Sequence, residues 1–180
     1  LANAIQLGDE NKVTQYLAEG GNPNATLVQG QNLVFASVGA MNNKALKQLI
    51  DAGADVNRGG SIGGRPAMSP LMLAVSVSNN DAIKLLVDAG ANINYETTTE
   101  SCAIENCMIH GRMDIMLYLL LKGADYRRKF TEIDSDKPDY PTFEVDILYK
   151  LRKCVYPIGS RAYNEKMKVV DFLKRKGLDY

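Results

Sequence analysis

Leu85-Leu86-Val87-Asp88-Ala89-Gly90-Ala91-Asn92-Ile93-Asn94 decides the reading of this chain, because it recurs. Leu49 to Asn57 reads Leu-Ile-Asp-Ala-Gly-Ala-Asp-Val-Asn, and Leu119 to Asp125 reads Leu-Leu-Leu-Lys-Gly-Ala-Asp. Weaker copies run from Tyr16 to Asn24 and from Phe172 to Asp179. With the glycine as a ruler, Gly20, Gly53, Gly90, Gly123 and Gly177 stand 33, 37, 33 and 54 residues apart. In each copy an amphipathic segment runs into an apolar triplet. A glycine then supplies the positive φ that ends a helix. The Ala-Asp or Ala-Asn pair that follows starts a turn, since short polar side chains bond their own backbone there. A period near 33 residues with two helices and a turn per unit is a repeat architecture.

Working outward, the first unit has an inner helix over Ala2–Leu7, a turn at Gly8-Asp9 and an outer helix over Asn11–Ala18. The second follows the loop 25–31, with an inner helix over Asn32–Met41 and an outer stripe of Ala45, Leu46, Leu49 and Ile50. The third opens on Ser69-Pro70, a capping oxygen followed by proline at the first helical position. Before it lies Arg58–Met68, whose Gly59-Gly60-Ser61-Ile62-Gly63-Gly64 carries the four extra residues of the longer gap. The fourth begins near Cys102, turns at His110-Gly111 and continues through Met113–Lys122. The fifth is expanded by 21 residues. Its charged loop is 127–141, an inner helix is expected over Thr142–Arg152, an inserted loop over Cys154–Tyr163, and a closing helix over Asn164–Lys176. The cations of that helix, Lys166, Lys168, Lys174, Arg175 and Lys176, are expected to give the polar outer surface that a capping repeat needs.

These residues resemble the ankyrin repeat family over nearly the whole chain. The family's inner-helix phrase is Thr-Pro-Leu-His-x-Ala, and Ser69-Pro70-Leu71-Met72-Leu73-Ala74 is the nearest copy. Asn32-Leu33-Val34-Phe35-Ala36-Ser37 and Cys102-Ala103-Ile104-Glu105-Asn106-Cys107 are looser ones, and the family's histidine is absent from all three. With it goes the hydrogen bond that the family places between repeats. The resemblance implies an all-α fold, an ankyrin-repeat helical solenoid of about five helix-turn-helix repeats with short hairpin loops. The whole of 1–180 is then expected to be one elongated domain, with repeats at about 1–24, 25–57, 58–94, 95–126 and 127–180. It also implies a non-catalytic protein-protein interaction module, with no cofactor, that binds a partner protein through its concave face and loop tips.

Composition agrees. Twenty-one cations balance 21 carboxylates, so no strong global field draws nucleic acid or a membrane. Residues 1–100 carry 6 basic and 9 acidic side chains, and residues 101–180 carry 15 and 12, a weak polarity along the chain. No apolar run approaches the ~20 residues a membrane span requires. A monomer is expected, cytoplasmic, or periplasmic if a leader is removed ahead of Leu1. Cys102, Cys107 and Cys154 form an odd, sparse set and are read as buried or incidental thiols. Cys102 and Cys107 fall on different faces of one predicted helix, which does not suit a disulfide.

Three places in the sequence invite a chemical reading. The single histidine, His110, has Asp114 four residues on but no nucleophile to complete a triad. The glycines of 59–64 lack the Gly-Lys-Ser/Thr that grips a phosphate. Glu132, Asp134, Asp136 and Asp139 lack the glycine and distal glutamate of a calcium loop. No catalytic or metal-binding residue is assigned. Counting back from the inner helices gives partner contacts instead. These are Val28, Gln29 and Gln31 at one loop tip, Arg65 and Met68 at the next, and Thr98, Thr99 and Ser101 at the third. Ser76, Val77, Ile109 and His110 stand at the concave ends of the helices, and Arg127, Arg128 and Phe130 form a fourth contact. Clustered exposed apolar groups mark contact sites. A narrower alternative is a bacterial immunity protein, which binds and neutralises a cognate toxic effector enzyme. An enzyme or a nucleic-acid binder is the third reading.

Overall fold

Five polar side chains that precede helices fix where those helices start. Asp9, Asn32, Asn42, Ser69 and Asn79 each accept a backbone N–H three residues on, from Lys12, Phe35, Ala45, Met72 and Ala82. Each satisfies one of the donors that a helix leaves orphaned at its start. The computed structural model describes residues 1–27, 31–60, 67–99, 101–134 and 142–179. Among them the chain forms five helix pairs, divided between two compact units, Leu1–Thr99 and Glu100–Tyr180.

The first unit holds three pairs: α1 (Ala2–Leu7) with α2 (Glu10–Ala18), α3 (Leu33–Gly39) with α4 (Asn43–Asp51), and α5 (Pro70–Ser76) with α6 (Asn80–Asp88). Inner helices pack on inner helices and outer on outer, α1 against α3 against α5 and α2 against α4 against α6. Ile5, Leu33, Phe35, Leu46, Leu49, Leu71, Ile83 and Leu86 fill the core. After each outer helix the glycine adopts positive φ, +81° at Gly20, +83° at Gly53 and +84° at Gly90. An Asx turn follows each time: Asn22, Asp55 and Asn92 accept from the backbone N–H of Asn24, Asn57 and Asn94.

The family's histidine bond is replaced here by asparagines. Asn24 Oδ1 accepts from Asp55 N at 2.7 Å, and Asn57 Oδ1 accepts from Asn92 N at 2.6 Å. Asn42 donates to the Ile5 carbonyl at 3.1 Å, and the amides of Asn43 and Asn79 exchange two bonds. Asn32, 2% exposed, caps α3 and also donates to the Arg58 carbonyl of the next repeat. Buried amides must be paired in this way.

The second unit holds α7 (Ala103–Ile109) with α8 (Met113–Leu121), a two-stranded antiparallel sheet β1 (Phe130–Ile133) and β2 (Thr142–Val145), and α9 (Ile147–Lys153) with α10 (Arg161–Arg175). Phe130 pairs with Val145 and Ile133 with Thr142. The inner helix expected from Thr142 therefore starts only at Ile147, capped by Asp146. Thr142-Phe143-Glu144-Val145 is β-branched or aromatic at three of four positions and suits a strand. Ile104, Cys107, Met113, Met116, Leu119, Ile147, Leu151, Val169 and Leu173 form the core of this unit, and all three cysteines are free. Lys166 is a second correction. It is buried at 8% exposure and donates from Nζ to the Cys154 carbonyl at 3.0 Å, so it is no part of the outer cap.

Candidate protein-interaction surface

The inner helices of the first unit turn one face away from their outer partners. Along that face the residues are small: Ala36 and Gly39 on α3, and Ala40 just after it. With Gln6, Gln31, Phe35 and Leu73 they line an open depression of about 300 Å³. Phe35, 1% exposed, is its floor. The arm before α5 closes down beside it through the backbone pair Gly60–Met68, with N–H···O distances of 3.0 and 2.9 Å. That approach requires glycine, because a Cβ at Gly60 would sit 2.7 Å from the Phe35 ring. Small residues on one side and half-exposed glutamine on the other make a groove that offers backbone, methyl groups and amide hydrogen bonds.

Of the contacts expected from sequence in this unit, Gln31 lies in the groove itself. Met68 is half-buried at the foot of the arm. Ser76 and Val77, both half-buried, stand 37 residues beyond Gly39 and Ala40 and continue their row at the end of α5. Thr98 and Thr99 are exposed, and the Thr99 amide bonds the buried Thr97 hydroxyl. Val28, Gln29 and Arg65, with most of the glycine-rich loop, lie outside the described residues. Gln6, Ala36, Gly39 and Ala40 escaped the sequence reading. The repeat offset carried the signal: stepping back 37 residues from Ser76 gives Gly39, and a further 33 gives Gln6.

In the second unit Ser101 is half-buried and donates to Glu105 at 3.1 Å. Ile109, 67% exposed, and His110 stand free of the core at the end of α7. Arg127 lies over the Tyr126 ring at 5.5 Å and Arg128 over the Phe130 ring at 5.7 Å. Phe130 is a correction: at 3% exposure it is the apolar anchor of the hairpin, not a surface contact. The alternation of a strand points it inward, whereas a loop would have left it in water.

Charge holds the same hairpin. Lys150 on α9 reaches Glu132 on β1 at 2.6 Å and Glu105 on α7 at 3.0 Å, and Lys153 reaches the other Glu132 oxygen at 3.0 Å. The hydrogen bond from Lys150 holds the Glu132 carboxyl below its ordinary range. Burial works against the Lys150 ammonium, but its bonds to Glu132 and Glu105 outweigh burial and raise its pKa. Burial pushes the Cys107 thiol up, which makes it a core side chain and a poor nucleophile. Asp114 serves as the ion-pair partner of Arg112 at 3.3 Å. Among the described residues no group of three His, Cys, Asp or Glu could hold a metal ion, and no helix is long and apolar enough to cross a membrane.

No curated protein matches the chain. The family described as Ankyrin repeats (3 copies) matches it over residues 1–97 and 40–130. Ankyrin repeats generally mediate protein-protein interaction and are typically non-enzymatic. The match takes in α1 to α8, with their positive-φ glycines, Asx turns and stacked inner helices, and over that majority of its length the chain belongs to the ankyrin repeat family.

Proposed function

We propose that the chain is a non-catalytic adaptor that binds a partner protein along the inner-helix groove of its first unit and the arms beside it. The groove lined by Gln6, Gln31, Ala36, Gly39, Ala40 and Leu73 carries this reading. Its floor is apolar and its rim offers amides, the mixture that protein contacts use. Gln31, Met68, Ser76, Val77, Thr98 and Thr99 are the contacts of this face. Ser101, Ile109, His110, Arg127 and Arg128 are those proposed for the second unit.

The test is affinity capture from the native source with the full chain, followed by binding measurements on the captured protein. A Cβ added at Gly39 would meet only the Leu73 Cδ2 atom, at 3.7 Å, so Gly39→Gln combined with Gln6→Arg should fill the groove without disturbing the core. This pair should weaken binding roughly tenfold or more, as loss of a central contact does. Lys168→Ala and Lys174→Ala on α10 should leave binding unchanged. Loss of the partner by the α10 variants and not by the groove variants would overturn the reading. Capture of an enzyme whose activity falls on binding would narrow it to the immunity form.

A further inference from the structure

Asn32 stands between Gln31, which lines the groove, and α3, which carries its floor. Its side chain is buried, and both ends of the amide are engaged. Oδ1 accepts from Phe35 N at 2.8 Å, which caps α3 and holds the backbone of the floor residue. Nδ2 donates to the Arg58 carbonyl at the base of the arm before α5, with the Gly59 carbonyl further off at 3.4 Å. The Arg58 side chain returns the contact. Its guanidinium donates to the Asn24 carbonyl at 2.8 Å and to Thr26 Oγ1 at 2.7 Å, and Thr26 pairs with Asn32 in an antiparallel bridge. Two glycines then let the arm lie against the floor. A Cβ at Gly59 would stand 2.9 Å from the Met68 carbonyl oxygen, and one at Gly60 would collide with the Phe35 ring. Ser69 holds the same place in the next repeat and caps α5 by accepting from Met72 N at 3.2 Å. A serine hydroxyl ends one atom short of an amide nitrogen, so capping alone does not call for asparagine.

We propose that Asn32 is a positioning residue for the groove: by joining Phe35 N to the Arg58 carbonyl, it holds the base of the arm as a fixed wall of the site that a partner occupies. This rests on the reading of the groove as the partner's seat. The physical ground is preorganisation. A wall already in place spares the partner the cost of ordering it on binding. The wall is backbone, since Gly59 and Gly60 have no side chain, so its position is set by hydrogen bonds and not by packing. Moving it would strand the buried Asn32 donor, which costs more than an ordinary exposed hydrogen bond returns. The bonds of Asn32, Arg58 and Thr26 also run through one another, so the two arms and the start of α3 hold their places together.

The test is amide hydrogen exchange followed by NMR on the full chain, beside the affinity of the protein recovered by capture on the parent chain. Asn32→Ser keeps a cap for α3, as Ser69 does for α5, and removes the donor to the arm. The Met68 N–H, which donates to the Gly60 carbonyl at 2.9 Å, should then exchange roughly tenfold faster, while the Ile83 N–H on α6 keeps its protection. Gly60→Ala should free the same amide by another route, wedging the arm off the Phe35 ring. Asn42→Ser, which removes the donation to the Ile5 carbonyl outside the groove, is the matched loss of a bond between repeats and should leave the Met68 amide protected. Affinity for the captured protein should fall roughly tenfold in Asn32→Ser and Gly60→Ala and hold in Asn42→Ser. Unchanged Met68 exchange in both arm variants would overturn the proposal, as would equal acceleration in Asn42→Ser. If the arm variants keep the captured protein while Gln6→Arg/Gly39→Gln loses it, the groove reading stands and the role of Asn32 falls. If the groove variant keeps it too, the groove reading falls and takes the role of Asn32 with it.

Discussion

At the scale of single residues, the turn from inner to outer helix needs one left-handed residue in each repeat. Gly8 and Gly111 meet the requirement at φ +73° and +65°. Met41 and Ser78, at the equivalent positions 33 and 70 residues after Gly8, meet it at φ +54° and +57° with a Cβ present. A side chain in that region is strained. Met41→Gly and Ser78→Gly should therefore each raise stability by ~0.5–1 kcal/mol, after the added freedom of the unfolded chain is offset. Met41 is 56% exposed and has little burial to lose. Urea denaturation would check this, and a fall in midpoint for both variants would show that the turn is not strained. Phe130→Ala is the opposite case. With the ring 3% exposed it should cost ~3–5 kcal/mol of stability. A thermal melt as high as that of the parent chain would put Phe130 back on the surface.

At the scale of elements, the β1–β2 hairpin is fastened by Glu132 between Lys150 and Lys153. The folded carboxyl lies below its ordinary value of 4.5. Its contribution is therefore present above that value and lost as pH falls through the lower folded one. Lys150 has the reverse sign: its folded pKa is raised, so its contribution holds through neutral pH and is lost only as pH climbs through that raised value. Glu132→Gln should lower stability at neutral pH by ~1–3 kcal/mol and flatten the acid limb of the stability curve. An acid limb as steep as that of the parent chain would show that other carboxylates govern it. Of the charges in this network, only Glu132 was visible in sequence as part of a loop of mixed sign, 127–141. The pairing was not, because Glu105, Glu132 and Lys150 meet only when α7, β1 and α9 pack together.

At the scale of the whole molecule, each unit has its own buried apolar centre. Leu86 in the first unit is 0% exposed and Leu120 in the second is 4% exposed. Truncating either to alanine should cost ~2–5 kcal/mol, and an unchanged melting temperature would contradict its place in the core. Among the described residues helices take up about half, against two four-residue strands. Far-UV circular dichroism should show helical minima, and a strand-dominated spectrum would contradict the fold.

The sequence by itself determined the repeat, the helix pairs and much of the core. These follow from local rules: glycine where φ is positive, Asn, Asp or Ser where a helix begins, and apolar residues at helical spacing. Ser69, Gly53, Gly90, Leu86 and Cys107 all stand where those rules put them. Tertiary structure decided what depends on residues far apart in the chain. It turned Phe130 inward by pairing it with Val145, buried Lys166 under the Cys154 carbonyl, and replaced the missing histidine bond with asparagine hydrogen bonds that span 31 to 37 residues of sequence. The groove belongs to the same class. Gln6 and Gly39 are unremarked in sequence and Leu73 reads there only as part of the inner-helix phrase; they become one surface only when α1, α3 and α5 stack, because local propensity sets helices while packing sets which faces are left open.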